Sequence, residues 1–254
     1  MDKDEQLLRK RFTELANTAE IRGICLFSDF LNLNEQNIFL SLKNDLPAIK
    51  YFAYGGFDDA ERKMLCFCGD EGILRQEDLT FPISCVKIEP QNQKFSDSLS
   101  HRDFLGAVLS LGVDRSKIGD ILITDNTGYL FCTESIGSFL ADQLLKIKHT
   151  NVSAAVIRGD NFSYQPKFTQ INGTVSSERL DSILSVAFHS SRSSLSGLIE
   201  GGKVFVNGKE VTSNSYALKE GDIVSVRGSG KFKYAGTSYQ TKKGRYSVRI
   251  LLYS

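Results

Sequence analysis

From Leu180 to Ala187 the apolar residues Leu180, Ile183, Leu184 and Ala187 recur at the spacing of one helical face, and Ser176 and Ser177 just upstream are candidate N-caps. A second short helix is predicted after Ser190 or Ser191, carrying Leu195, Leu198 and Ile199 and stopped by Gly201-Gly202. The period then changes to two. Val204 and Val206 alternate with Phe205, and Asn207-Gly208 is the dipeptide of a two-residue hairpin turn. Val211 begins the return strand, and Ile223, Val224 and Val226 supply another. The pattern predicts two helices packed on a small twisted sheet.

Upstream, Leu7, Leu8, Phe12, Leu15 and Ala16 line one face of a helix from Asp2 to about Ala19. A second helix is predicted from about Asp29 to Leu46, before Pro47, and strands at Ile49 to Ala53 and Met64 to Cys68 flank the polar segment YGGFDDAERK. In the middle, Ile83 to Ile88 reads as strand, Arg102 to Leu111 as helix, and Ile121 to Thr124 and Tyr129 to Cys132 as a hairpin turning at Asp125-Asn126-Thr127-Gly128. Ile136 to Ile147 is helical and Val152 to Ile157 a strand. The order βαββαβ is the split arrangement of ferredoxin-like and RNA-recognition folds. An α+β chain is expected, with a mixed α/β region at 1–80, a ferredoxin-like domain at 81–165 and a C-terminal module at 176–254. The glycine-and-aromatic signature of a typical RNA-recognition strand is missing, so Tyr129 and Phe131, two apart on one face, are expected in the core.

Charge sharpens this picture. Residues 176–254 hold 12 Lys and Arg against 6 Asp and Glu, whereas the remainder holds 19 against 24, an asymmetry hidden by the overall +1. From Arg227 to Ser254 there are seven basic residues and no acidic one, interleaved with Phe232, Tyr234, Tyr239, Tyr246 and Tyr253. Cations neutralise phosphates and release counterions, and aromatic faces stack on exposed bases. Hydrophobic residues at 41% allow real cores. No apolar run approaches a membrane span, the opening MDKDEQLLRKRF is charged, and the five cysteines are scattered and odd in number. A cytoplasmic protein with reduced, mostly buried thiols is expected, with no membrane partner.

Catalytic look-alikes have plainer uses. His101-Arg102-Asp103 spells the kinase tripeptide without its companion motifs, and a helix start capped by Ser100 with Asp103 in the first turn explains it. Arg179-Leu180-Asp181 resembles the catalytic motif of pseudouridine synthases, but the expected Thr and Gly do not follow, and Asp181 is expected to make a local salt bridge or cap a neighbouring backbone group. Cys66-x-Cys68 has no companion pair at zinc spacing, and Gly55-Gly56 is expected to make a tight turn. No enzyme activity, cofactor or metal is expected.

The segments RLDSIL, SRSSLSGLIEGGKVFVNGKEV and LKEGDIVSVRG together resemble the S4 domain, a small RNA-binding module. With FSDFL, GGFDDAERK, HRDFLGAVLSLGVDRSKIGDI and the tail RGSGKFKY…TKKGRYSV, spread over nearly the whole chain, the sequence is similar to the YlmH family. Ser229 departs from that family's basic-glycine tail, which removes one phosphate contact. The resemblance implies a non-catalytic protein of ribosome-associated quality control that binds the large ribosomal subunit carrying peptidyl-tRNA, with rRNA and tRNA as structured-RNA partners and a link to cell division. The RNA-binding residues expected are Arg179, Ser191, Arg192, Ser193, Lys203, Lys209, Arg227, Lys231, Lys233, Lys242, Lys243 and Arg245. In this reading Arg179 and Arg192 approach phosphates beside helix N-terminal amides. The rival readings are an adaptor contacting a division protein, and an RNA-modifying enzyme of the pseudouridine synthase type targeted by its S4 domain.

Overall fold

The computed structural model describes residues 3–73, 75–157, 168–241 and 244–253. The chain divides into two compact units, Met1–Tyr164 and Gln165–Ser254.

The first unit opens with α1 (Lys3–Arg22), whose Phe12, Ala16 and Ala19 are buried. Strands β1 (Cys25–Phe27), β2 (Lys50–Tyr54) and β3 (Met64–Cys68) form an antiparallel sheet in the order β1-β3-β2. Between them α2 spans Leu33–Leu42 and ends in one 3-10 turn, Lys43–Asp45. The helix starts later than the expected Asp29 because Asn32 caps it. The Glu35 amide donates to Asn32 Oδ1 at 3.0 Å, and the Asn32 amide donates to Glu35 Oε2 at 2.6 Å.

The βαββαβ order is present as β4 (Ile83–Pro90), α3 (His101–Ser110), β5 (Ile118–Thr124), β6 (Thr127–Thr133), α4 (Glu134–Gln143) and β8 (Thr150–Ile157). A short β7 (Lys146–Ile147) pairs with the start of β8, giving the sheet order β5-β6-β4-β8-β7. The expected helix to Ile147 therefore stops early. Leu144 leaves helical geometry at φ −84°, ψ 84°, and Lys148 turns at φ 52°. The β5–β6 turn places Asp125 and Asn126 at φ 49° and 64°. Asn126 also ties down the chain before α3, accepting from the Leu99 amide at 2.9 Å and donating to Asp97 O at 2.8 Å.

One face of this sheet packs on α3 and α4 through Val86, Ile88, Phe104, Val108, Leu130 and Leu140. The other face meets the N-terminal sheet. Phe30, Met64, Cys66, Cys68, Phe81, Cys85 and Phe131 form one buried cluster. A polar pin crosses the same junction. Arg62 donates from Nε to Ile118 O at 2.8 Å and from Nη2 to Phe30 O at 3.0 Å and Arg115 O at 3.2 Å. The Glu61 and Arg62 amides donate to Asp120 at 2.6 and 3.2 Å. Burial pushes the Asp120 carboxyl up to about 6, against the Arg62 amide bond and the positive charges of Arg62, Arg115 and His101.

The cysteines differ from expectation in one respect. The β1–β3 register sets Cys25 opposite Cys68, and their sulfurs are bonded, whereas Cys66, Cys85 and Cys132 are free and buried. Strand β1 was not legible as a strand, so this pairing was not either. The sulfurs of Cys25, Cys66 and Cys68 lie within 4.8 Å of one another. Burial pushes the Cys66, Cys85 and Cys132 thiols up to about 12.

In the second unit β9 (Phe168–Val175), α5 (Leu180–Ala187), α6 (Arg192–Glu200), β10 (Val204–Val206), β11 (Lys209–Glu210), β12 (Ile223–Val226), β13 (Gly230–Gln240) and β14 (Tyr246–Tyr253) make a six-stranded sheet with two helices. The strand order is β11-β10-β12-β13-β14-β9. Asn207 and Gly208 adopt φ 49° and 76°, the left-handed pair a type I′ hairpin turn requires. The helices bury Leu180, Ile183, Leu184, Leu195 and Ile199 against Val204, Val206, Phe232, Tyr234, Val248 and Ile250. The basic tail is thus the β13–β14 hairpin, and the sheet begins upstream of residue 176, at β9.

Candidate nucleic-acid interface

Helix α5 begins at Leu180, and its N-cap is Arg179 rather than a serine. The chain bends at Ser176 and Ser177 ahead of Glu178, which accepts from the Tyr234 hydroxyl at 2.5 Å and from Thr237 Oγ1. The Leu180 amide donates to Tyr216 O at 2.8 Å and the Asp181 amide reaches Asn214 O at 3.4 Å. Two amides expected to favour phosphate at this helix start are therefore already bonded within the protein. The Arg179 guanidinium lies 3.6 Å from Asp181 Oδ1, which makes Asp181 a local salt-bridge partner, one of the two uses expected for it.

Helix α6 is capped by Ser191, whose hydroxyl accepts from the Ser194 amide at 3.4 Å and lies 3.1 Å from Ser193 Oγ. Both serines are exposed. Arg192 opens this helix, and its side chain lies outside the described residues, as do Lys242 and Lys243 altogether. Helix α5 has eight residues and so spans about 12 Å. It separates Arg179, at its start, from Ser191 and Ser193, beyond its end. Arg179 and the two serines thus stand at opposite ends of α5.

The sheet brings others together. Registered partners across antiparallel strands share a face, and alternate residues along a strand share it too. Val204, Val206, Val224, Val226, Phe232, Val248 and Ile250 point into the core. The opposite face therefore carries Phe205, Ser225, Lys231, Lys233, Arg249, Leu251 and Tyr253. Lys203 joins them, since the Arg227 amide donates to Lys203 O at 2.9 Å and sets those two basic residues side by side. The Arg227 guanidinium sits 4.7 Å from the Phe205 ring centroid, and the Lys231 ammonium 4.5 Å from that of Tyr253. Burial lowers the Lys231 pKa to about 8. Arg245, at the distal end of the hairpin, donates from Nη2 to Thr174 O at 2.7 Å. Lys209 is exposed on edge strand β11, paired with Val206 and hence on the helix side.

Strands β9, β10, β12, β13 and β14 contain no Asp or Glu, so the cations on this face meet no carboxylate from their own strands. Edge strand β11 contributes Glu210, opposite Phe205. Arg249, exposed among these residues, is absent from the expected set; its alternation with Val248 and Ile250 was the available signal.

The sheet face of the central domain is arranged differently. Phe131 is 2% exposed and stacks on Phe57 at 5.1 Å between centroids. Its core role matches expectation, and its ring is closed to a base. The His101-Arg102-Asp103 tripeptide is a helix start. The Ser100 amide and hydroxyl donate to Asp103 Oδ2 at 2.8 and 2.6 Å, and Lys148 Nζ lies 2.7 Å from the same oxygen. These contacts, the Lys148 bond foremost, pull the Asp103 pKa down to about 2.

Residues 76–160 match the family model described as "Putative RNA-binding domain in YlmH", and residues 178–224 match the S4 domain. A solved structure titled "Cell division protein ylmH from Streptococcus pneumoniae" aligns with TM-score 0.49 at 21% identity, over 62% of this chain and 93% of that one. The chain is 30% identical over 250 residues to "Ribosome-associated protein quality control protein P2" of Bacillus subtilis (strain 168), covering 97% of this chain and 94% of that protein. With that identity over nearly its full length, and both domain models in order, the chain belongs to the YlmH family.

Proposed function

We propose that this protein is a non-catalytic RNA-binding factor of the translation machinery, acting in ribosome-associated quality control on large ribosomal subunits that carry peptidyl-tRNA. The observation that carries the reading is the cationic sheet face of the C-terminal unit, where Lys203, Arg227, Lys233 and Arg249 stand on or beside strands free of acidic residues. The printed name of the Bacillus subtilis relative supports the same setting. Such a surface suits phosphates and the shape of folded RNA more than base sequence. The non-catalytic part is supported by the residues that imitate active sites, since Asp103 caps a helix and Asp181 pairs with Arg179.

The test is sedimentation of the tagged protein in cell lysate, at low and high salt, with sequencing of the RNA retained. Co-migration with large subunits, enriched in tRNA and weakened by salt, is expected. Migration free of RNA even at low salt would overturn the reading, and salt-resistant retention of a division protein would favour an adaptor.

A further inference from the structure

We propose that the C-terminal unit holds a stacking site for a short unpaired RNA segment, with Tyr239 as the stacking ring and Arg245, Arg249 and the side-chain amides of Asn172 and Gln170 following along the same face. The proposal rests on the RNA-binding reading above and adds a ligand class and a location to it, on the sheet face turned away from α5 and α6.

The register defines the site. Tyr239 pairs with Ser247, Ser247 with Thr174, Arg249 with Asn172 and Leu251 with Gln170. Val248 and Ile250, the alternating residues of β14, are buried in the helix-side core. Tyr239, Arg249, Asn172 and Gln170 therefore share the opposite face, in rows about 7 Å apart along the strands. Tyr239 is 63% exposed, the most open aromatic ring among the described residues. A ring held on a strand and open to solvent, on the face that also carries Arg249, offers what a nucleobase face requires.

The polar groups fit the same ligand. Gln170 Nε2 donates to Asn172 Oδ1 at 3.2 Å, which keeps the Gln170 carbonyl and the Asn172 amide for a base edge. Arg245 uses one N–H on Thr174 O at 2.7 Å, and Arg249 one on Ala235 O at 3.4 Å. Each guanidinium is anchored by that bond and keeps further donors for phosphate. Strands β9, β13 and β14 contain no carboxylate that would repel a phosphodiester. Paired A-form RNA hides its base faces, so the exposed ring selects single strands, loops or bulges.

The test compares the full-length protein with Tyr239→Ala, Tyr239→Phe and Arg249→Ala. The probes are a labelled oligoadenylate of about ten nucleotides and a fully paired RNA hairpin, and melting temperatures are recorded alongside. Tyr239→Ala is expected to weaken oligoadenylate binding about tenfold, with Tyr239→Phe within about twofold of the parent. Arg249→Ala is expected to weaken it too and to flatten its salt dependence. Hairpin binding is expected to stay unchanged in both Tyr239 variants. Oligoadenylate affinity unmoved by Tyr239→Ala, or lost equally in Tyr239→Phe, would overturn the stacking site. Hairpin binding without oligoadenylate binding by the parent would sink this inference and spare the RNA-binding reading, whereas binding of neither probe would sink both.

Discussion

Gly56 lies against the ring of Phe131, so close that a Cβ on Gly56 would fall 2.2 Å from Phe131 Cδ1. The contact seats the N-terminal region on the part of the central sheet where an RNA-recognition fold would stack bases. An RNA-binding surface on the central domain must therefore avoid Phe131.

Gly56→Ala is expected to destabilise the first unit by about 2–4 kcal/mol, adding core overpacking to the strain of a side chain at φ +101°. Urea denaturation followed by far-UV circular dichroism checks this, and a loss below about 1 kcal/mol would show that the ring moves aside easily.

Arg62 bonds three carbonyls from its fork, and no other side chain has that geometry. Arg62→Ala is expected to cost about 1–3 kcal/mol by leaving Phe30 O without its side-chain donor and removing one donor each from Ile118 O and Arg115 O, which keep Arg115 Nη1 and the Ile118 amide. Arg62→Lys should recover only a minor part, because a point charge cannot span the carbonyls. Equal stability of Arg62→Lys and the parent in the same urea titration would rule out the fork as the fastener.

Asp103 gives a pH signature. Its folded pKa of about 2 lies below the ordinary carboxylate value, so its contribution to stability is complete above about pH 4 and is lost as pH falls toward 2. Asp103→Asn should melt earlier than the parent at pH 7, and the gap should close on acidification through that window. A gap constant with pH would mean that the charge on Asp103 is immaterial.

Lys203 and Arg227, side by side at the ends of β10 and β12, test the cationic face directly. Converting both to Glu is expected to weaken ribosome association, and the slope of log affinity against log salt should fall by about one per phosphate contact removed. The same reversal at Lys242 and Lys243 addresses the hairpin segment. Unchanged affinity and slope would take the altered pair out of the footprint.

The sequence carried local features well and distant pairings poorly. Asn207-Gly208 announced its turn because left-handed backbone is a property of those two residues alone. The βαββαβ order was legible because each element has its own apolar period. Strand β9 was not, since FTQINGTV has few apolar residues and is stabilised by pairing with β14, far along the chain. For the same reason composition marked the C-terminal region as cationic but could not show which cations share a face. That sorting depends on register, which also set Arg249 and Tyr239 beside residues of β9. The cover over Phe131 was hidden as well, because Gly56 reads as a turn glycine until its neighbour in space is known.

The position of β14, between β9 and β13, also fixes a timetable. Strand β9 leaves the ribosome first in its unit, yet its eight residues gain a partner only when Tyr246–Tyr253 has emerged as well. Until then its backbone amides and carbonyls are an open edge, and the long loop to be closed makes the pairing a late event in folding. A nascent chain of this protein that stalls before β14 would be left with an unfinished sheet, the kind of aggregation-prone intermediate that translation surveillance exists to remove.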